Sequence, residues 1–132
     1  MQREIRDVRT YLIIGAAMKV HSRFGSGFLE SVYQEALEAE LKAIHVPFRR
    51  EPRIAIDYEG KTLDSVYRPD FVVYDEVIVE LKVVAELNDV HKRQVIHYLK
   101  ATELRLALLL NFGASRLEHD RVINSAGRRP SL

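Results

Sequence analysis

Cysteine is absent from this chain of 132 residues, which excludes disulfide bonds, thiolate zinc sites and cysteine nucleophiles. A continuous run of about 18 apolar residues, which a membrane-spanning helix needs, is absent as well. The N-terminal segment is charged where a secretory signal would need an apolar centre. These absences predict a soluble cytoplasmic protein that does not act at a membrane.

The chain also has little net charge, because its 20 lysine and arginine residues nearly balance its 19 aspartate and glutamate residues. A protein-wide positive field that attracts nucleic acid is therefore not expected. Contacts with a polyanion would have to come from local basic clusters, either Arg49, Arg50 and Arg53 or Lys92 and Arg93. Such clusters are also common as plain solvated surface.

The residues that are present suffice for one globular domain, since 47% of them are hydrophobic and 30% are charged. Apolar residues spaced three and four apart predict helices over about residues 4–23, 28–44 and 90–102. Apolar residues in alternation or in short runs predict strands over about residues 53–58, 62–67, 70–74, 77–84 and 106–110.

The resulting order, ααββββαβ, indicates an α/β fold, a three-layer or two-layer sandwich in which helices flank one central mixed sheet. Pro47 ends the second helix, and Asn88 or Asp89 is the expected N-cap of the third. Residues 1–115 are expected to form the single domain. Residues 116–132 are expected to form a C-terminal tail that frays, because they include few packing residues.

Three charged residues interrupt apolar strands. Asp70 precedes the run Phe71–Tyr74, and Glu80 and Lys82 interrupt the run that starts at Val77. Glu80 and Lys82 are two residues apart, so they share one face of their strand. Charged groups within a buried strand are costly unless they are paired or bind something. A structural ion pair, a strand end that reaches water and a functional site all remain open.

The turn between these two strands decides where Asp70 points. In a strict two-residue loop made of Asp75 and Glu76, residue i faces residue 151 − i, so Asp70 faces Leu81 and points away from the other charges. In a register with i facing 152 − i, Asp70 faces Lys82 and all three polar groups converge. A shared site needs the second register, which the sequence permits without enforcing.

The pair Pro69-Asp70, followed by Glu80-Leu81-Lys82, resembles the PD-(D/E)XK motif of a superfamily of metal-dependent nucleases. The segment Gly27–Tyr33 resembles the GxxExxY signature of a small bacterial and archaeal family within that superfamily. That family's later blocks are similar to Tyr67–Phe71, Val79–Lys82, His91–Gln94, Tyr98–Thr102 and Asn111–Gly113. The resemblance spans about residues 5–115 and departs from the family at Glu103, where glycine is usual.

The resemblance implies a restriction-endonuclease-like fold with a divalent metal site. The carboxylates of Asp70 and Glu80 and the backbone carbonyl of Leu81 would hold Mg²⁺ or Mn²⁺, which prefer hard oxygen ligands. Lys82 would orient or deprotonate the attacking water and stabilise the negative charge that develops on the phosphate.

Glu30 has two interpretations. With Gly27 as N-cap, Glu30 is the third helical residue, where an acid favours the helix dipole and can cap the helix. The resemblance implies instead that Glu30 reaches the metal site directly or through water, with Tyr33 packed beside it.

The third predicted helix carries Gln94 and Tyr98 four residues apart on one face, with His91 one turn before Gln94. By resemblance, Gln94 would contact a phosphate or a metal-bound water. Tyr98 and His91 would support the site, Tyr98 mainly as a core residue with its hydroxyl near the site. Candidate contacts to the nucleic-acid backbone, which need charge rather than sequence readout, are Arg68, Lys92 and Arg93.

The function implied is a metal-dependent nuclease that hydrolyses phosphodiester bonds of DNA or RNA. The alternative is a catalytically silent member that binds nucleic acid or serves in assembly; the near-neutral charge favours it, whereas the intact Asp-Glu-Lys set favours the enzyme. A third possibility is a phosphoesterase with a closed pocket for a small nucleotide. The small size of the domain is compatible with a homodimer, and the spacing of the five histidines gives no expectation of zinc.

Overall fold

Three helices and seven strands form within residues 7–127, the part of the chain that the computed structural model describes. The helices are α1 (Val8–Phe24), α2 (Glu30–Ala43) and α3 (Asp89–Thr102). The strands are β1 (Phe48–Arg50), β2 (Ile54–Tyr58), β3 (Lys61–Tyr67), β4 (Phe71–Val73), β5 (Val77–Lys82), β6 (Leu106–Asn111) and β7 (Glu118–Ile123). Across these described residues, none of the helices has the length and apolar character needed to cross a bilayer.

Five strands form one sheet in the order β1-β4-β5-β6-β7. Strands β5 and β6 are parallel and are joined through α3, whereas the other neighbours in this sheet are antiparallel. The expected mixed α/β fold with a central mixed sheet is therefore confirmed. Among residues 7–127, strands β2 and β3 pair only with each other, so the expectation of one sheet for all strands is wrong.

Buried side chains form one cluster on each face of the five-stranded sheet. Helices α1 and α2 cover the first face, where they pack against alternate residues of β4, β5 and β6. Helix α3 and the β2–β3 pair cover the second face, where they pack against the intervening residues of the same strands. Strand β6 is buried along its whole length because both of its faces are covered. Of the two expected arrangements, the three-layer one is formed.

Two strands at the edges of the sheet were not predicted. Strand β1 has only three residues, two of them arginines, and three of the six residues of strand β7 are charged. Edge strands can carry such residues because one of their sides faces solvent. The prediction of a frayed tail is wrong for β7, which pairs with β6 along Leu106–Asn111. The start of the first predicted helix and the last five residues of the predicted tail lie outside the described residues.

Candidate functional site

Strands β4 and β5 form a hairpin whose turn, Tyr74–Glu76, has three residues rather than two. The backbone is left-handed at Tyr74 (φ 57°) and Asp75 (φ 59°). The Glu76 N–H donates to the Val73 carbonyl at 3.1 Å. Residues other than glycine rarely adopt a positive φ, so the sequence pattern predicted a turn one residue too short.

The longer turn sets a register in which residue i faces residue 150 − i, as in the pair Phe71 and Val79. Both registers considered from the sequence are therefore wrong. The observed register still places Asp70 on the same face of the hairpin as Glu80 and Lys82, which a shared site needs. Asp70 immediately precedes β4 and continues the ladder opposite Glu80. The Asp70 N–H donates to Glu80 Oε1 at 3.3 Å. Asp70 thus faces Glu80 instead of Lys82, which is two residues further along the same face.

Both carboxylate oxygens of Asp70 accept hydrogen bonds. Oδ2 accepts from the Leu81 N–H at 2.8 Å, and Oδ1 accepts from Gln34 Nε2 on α2 at 2.9 Å. The Lys82 carbonyl accepts from the Phe112 N–H at 2.9 Å, on the β6 side. Since successive residues of a strand alternate their backbone groups, the Leu81 carbonyl points to the other side, towards Asp70. A carboxylate and a backbone carbonyl therefore face the same gap, which lies before the start of β4 and beside the end of β5.

Glu80, which lies opposite Asp70 across the hairpin, is largely buried. The Tyr67 hydroxyl donates to Glu80 Oε2 at 2.5 Å, and the Tyr67 ring stacks on Tyr98 with ring centres 3.8 Å apart. Burial raises the pKa of Glu80 to about 7; the charge of Asp70 adds to this rise, and the hydrogen bond from Tyr67 opposes it. Burial and the neighbouring Glu80 also raise the pKa of Tyr67, so the hydroxyl stays a donor. Within the described residues, too little positive charge therefore lies near Glu80 to stabilise its ionised form.

Glu30 is the first residue of α2, and the helix is capped by the Leu29 backbone, so the expectation of Gly27 as N-cap is wrong. Glu30 is exposed to solvent, yet neighbouring protein atoms partly desolvate its carboxyl and raise its pKa. The Asp70 carboxylate raises this pKa further, and the Lys82 ammonium lowers it. Glu30 therefore lies near enough to Asp70 and Lys82 for both charges to act on its pKa.

A sequence model described as the PD-(D/E)XK nuclease superfamily matches residues 7–122, which include Asp70, Glu80 and Lys82. The chain belongs to the PD-(D/E)XK nuclease superfamily. The crystal structure of a protein named SSO0001 is similar in fold, with a TM-score of 0.57 and 16% sequence identity over 92% of this chain and 70% of that one. A comparison with curated proteins finds no significant match.

The central mixed sheet and its flanking helices agree with the restriction-endonuclease-like fold expected for this PD-(D/E)XK protein. Its motif spans the hairpin described above, with Asp70 before β4 and the other motif residues at the end of β5.

Helix α3 places its predicted site residues in different environments. Tyr98 stacks on Tyr67 and thereby contacts the residue that holds Glu80. His91 closes a capping box with Asn88, the observed N-cap, whose N–H donates to His91 Nδ1 at 3.1 Å. Gln94 is exposed, and within residues 7–127 its amide makes no hydrogen bond. The structure thus ties Tyr98 to the site and leaves the role of Gln94 a prediction.

Tyr33 is a fully buried core residue of this PD-(D/E)XK domain. Its ring stacks on Phe112 with ring centres 4.6 Å apart. Its hydroxyl donates to the Gly25 carbonyl at 2.5 Å and accepts from the Phe28 N–H at 3.2 Å. Tyr33 therefore anchors the loop that leads into Glu30.

The three candidate phosphate-binding residues do not form one cluster. Arg68 pairs with Glu51 at 3.1 Å. Lys92, on α3, pairs with Asp120 of β7 at 3.2 Å, and Arg93 beside it is exposed. Only Arg68 is connected to the acidic site, because Glu51 also accepts a hydrogen bond from the Gln34 amide that binds Asp70.

Sequence reasoning missed Gln34, Glu51 and the bond from Tyr67. The one available signal is spacing: Gln34 is four residues after Glu30, so the two share a helix face that points to the site. Nothing in the sequence relates Glu51 to Asp70, although the Glu51 N–H donates to the Asp70 carbonyl at 2.9 Å.

The Asn111 side chain holds the segment that follows β5. Its Oδ1 accepts from the Val84 N–H at 3.0 Å and the Gly113 N–H at 2.9 Å. Its Nδ2 donates to Glu118 Oε1 at 2.7 Å. Asn111 therefore connects the chain after Lys82 to β6 and β7, which positions the end of β5.

Nucleases of this superfamily generally use divalent metal ions, and the donor chemistry at the end of β5 suits one. Two carboxylates and a backbone carbonyl are hard oxygen donors of the kind that Mg²⁺ and Mn²⁺ accept. The raised pKa of Glu80 also indicates a carboxylate that a cation would stabilise. Among residues 7–127, no three His, Asp or Glu side chains are grouped to hold a metal by themselves, so the carbonyl and water would complete the ligand set.

Proposed function

We propose that this protein is a metal-dependent nuclease that hydrolyses phosphodiester bonds of DNA or RNA and that it belongs to the GxxExxY family. The proposal rests chiefly on one observation: Asp70 faces Glu80 across the hairpin, with Lys82 on the same face. The Coulomb influence of Lys82 and Asp70 on Glu30 adds a fourth charged group to this cluster.

The proposed metal ligands are Asp70, Glu80 and the Leu81 carbonyl, with Mg²⁺ or Mn²⁺ as the ion. Such an ion, when bound, lowers the pKa of water and neutralises charge on phosphate oxygens. The hydrogen bonds from Gln34 and Leu81 keep the Asp70 carboxylate turned towards the site. The bond from Tyr67 does the same for Glu80.

Hydrolysis forms a bond between a water oxygen and phosphorus and breaks the bond to the leaving oxygen, which takes up a proton. We assign to Lys82 the orientation of this water and the stabilisation of the charge that develops on the phosphate. Glu30 would accept a proton from the site or hold a water there, since burial raises its pKa. Gln94 would contact a phosphate from α3.

We assign the binding of backbone phosphates to Arg68, Lys92 and Arg93. Arg68 and Lys92 each hold a carboxylate at the surface, so a phosphate would replace an acidic partner. Exposed ion pairs of this kind contribute about 0–1 kcal/mol, which makes the exchange easy. A homodimer and a cytoplasmic location stay predictions.

The test combines cleavage with metal binding. The purified protein is incubated with single-stranded and double-stranded DNA and RNA, with and without Mg²⁺, and Mn²⁺ binding is measured by calorimetry. Asp70→Ala and Glu80→Ala should abolish both metal binding and cleavage. Lys82→Ala should keep metal binding and lower turnover at least about 100-fold. Lys100→Ala, at an exposed lysine of α3, is the matched control and should behave as the wild type.

Equal Mn²⁺ binding by the wild type, Asp70→Ala and Glu80→Ala would remove the site assignment. Cleavage by Lys82→Ala at the wild-type rate would refute the role of the lysine.

The second candidate is a catalytically silent module that binds nucleic acid or serves in assembly. The near-neutral net charge of +1 favours it. So do the hydrogen bonds that Asp70 and Glu80 already accept from Gln34 and Tyr67. Nucleic-acid binding without cleavage under every metal condition would select this candidate.

A further inference from the structure

The Gln34 side chain is buried, and its amide lies between α2 and the open end of the β4–β5 hairpin, away from the turn. Its Nε2 donates to Asp70 Oδ1 at 2.9 Å and to Glu51 Oε2 at 3.0 Å. Its Oε1 accepts from Arg50 Nη2 at 2.8 Å. We propose that Gln34 is a positioning residue that orients the Asp70 carboxylate for a divalent cation. This inference rests on the proposed function.

The neighbours of the amide determine its orientation. Both N–H groups of Nε2 meet carboxylate oxygens, and the carbonyl oxygen meets a guanidinium. A rotated amide would place its oxygen against two carboxylates and its NH₂ group against a cation. Arg50 is itself held by Glu38, whose Oε1 accepts from Arg50 Nη1 at 2.8 Å. Gln34 therefore has one favourable orientation, and that orientation points its donors at Asp70 and Glu51.

A neutral donor is suited to this position. A lysine at position 34 would neutralise Asp70 and compete with a cation, whereas an amide fixes the carboxylate and leaves its charge available. With Oδ2 held by Leu81 and Oδ1 held by Gln34, rotation of the Asp70 carboxylate is restricted at both oxygens. Hydrogen bonds of this kind to a ligating carboxylate typically change metal affinity by about 10-fold to 100-fold when they are removed.

The experiment compares Gln34→Met, which keeps the length of the side chain and removes its donors, with Glu35→Met at the exposed neighbouring position of α2. Mn²⁺ affinity is measured by calorimetry in the complete protein, together with kcat, KM and thermal unfolding. Gln34→Met should raise the Kd for Mn²⁺ about 10-fold or more and lower kcat more than it changes KM. Glu35→Met should bind Mn²⁺ as the wild type does.

The outcomes separate this inference from the proposed function. If Asp70→Ala loses Mn²⁺ and Gln34→Met binds it with wild-type affinity, the positioning role is refuted and the proposed function stands. If the wild type binds no Mn²⁺, the proposed function fails and the positioning role fails with it.

A second measurement on the unmodified protein covers the case in which Gln34→Met does not fold. The side-chain NH₂ resonances of Gln34 are followed by NMR during titration with Mg²⁺. The control is the Asn124 side chain, which donates to the Leu104 carbonyl near the opposite end of β6. The Gln34 resonances should shift with Mg²⁺ while those of Asn124 stay constant. Unchanged Gln34 resonances at saturating Mg²⁺ would overturn the proposal.

Discussion

The stability of the metal-free protein should fall as pH rises from about 4.5 to about 7, and Glu80 should cause much of this fall. Burial, helped by the charge of Asp70, raises the pKa of Glu80 from its ordinary 4.5 to about 7 in the folded protein. Since one pKa unit corresponds to about 1.4 kcal/mol, the raised value is equivalent to about 3 kcal/mol. This is a large fraction of the stability of an ordinary domain, which is about 5–15 kcal/mol.

The sign follows from proton binding. Below pH 4.5, Glu80 is protonated in the folded and unfolded chains and has no differential effect. Between pH 4.5 and about 7, the unfolded chain releases this proton first, so rising pH favours unfolding. Above about pH 7, Glu80 is ionised in both the folded and the unfolded chain, and the loss of stability is complete.

The perturbation is Glu80→Gln, which keeps the shape of the side chain and removes its titration. Chemical denaturation with EDTA present, at several pH values from about 4 to about 8.5, gives the free energy of unfolding. The wild type should lose about 3 kcal/mol more than Glu80→Gln across this range. Glu35→Gln, at an exposed site on α2, should follow the wild type. Parallel curves for the wild type and Glu80→Gln would refute the assignment of a buried, uncompensated carboxyl to position 80.

Two further substitutions test the surroundings of the site. Tyr67→Phe removes the O–H donor that favours ionised Glu80, so the pKa of Glu80 should rise further and the pH-dependent fall in stability should extend to higher pH in the same assay. Gly113→Ala would place a Cβ 2.4 Å from the Val84 nitrogen and should lower the free energy of unfolding by about 1–3 kcal/mol, measured by chemical denaturation. Gly15→Ala, in an exposed part of α1 with no atom within 4 Å of the added Cβ, is its control and should gain about 0.5–1 kcal/mol. A stable Gly113→Ala variant would contradict the close backbone approach at that position.

The helices and central strands followed from local patterns. Strand β6 is apolar up to its last residue, Asn111, and α1 and α2 repeat apolar residues at helical spacing, so each pattern has one dominant interpretation. The edge strands β1 and β7 have no such pattern, because their stability comes from pairing with a neighbour that is already in place. The sequence therefore predicted the interior of the sheet better than its margins.

The candidate site was also predictable from the sequence only in part. Glu80 and Lys82 share a face by the two-residue period of any strand, whatever surrounds it. The position of Asp70 depended on one residue more or less in the turn, and the left-handed backbone at Tyr74 and Asp75 decided that number. A single additional residue there would turn Asp70 to the opposite face.

The sequence by itself determined the kinds of residue at the site, the order of the helices and of strands β2 to β6, and the superfamily motif, because these depend on neighbours along the chain. Tertiary structure alone decided which groups hold the acids: Gln34 reaches Asp70 from 36 residues away, and Tyr67 reaches Glu80 from 13 residues away. It also decided that Glu80 is buried enough for its pKa to rise to about 7. Desolvation and hydrogen bonding depend on distances in space, which packing of the helices and the β2–β3 pair against the sheet establishes.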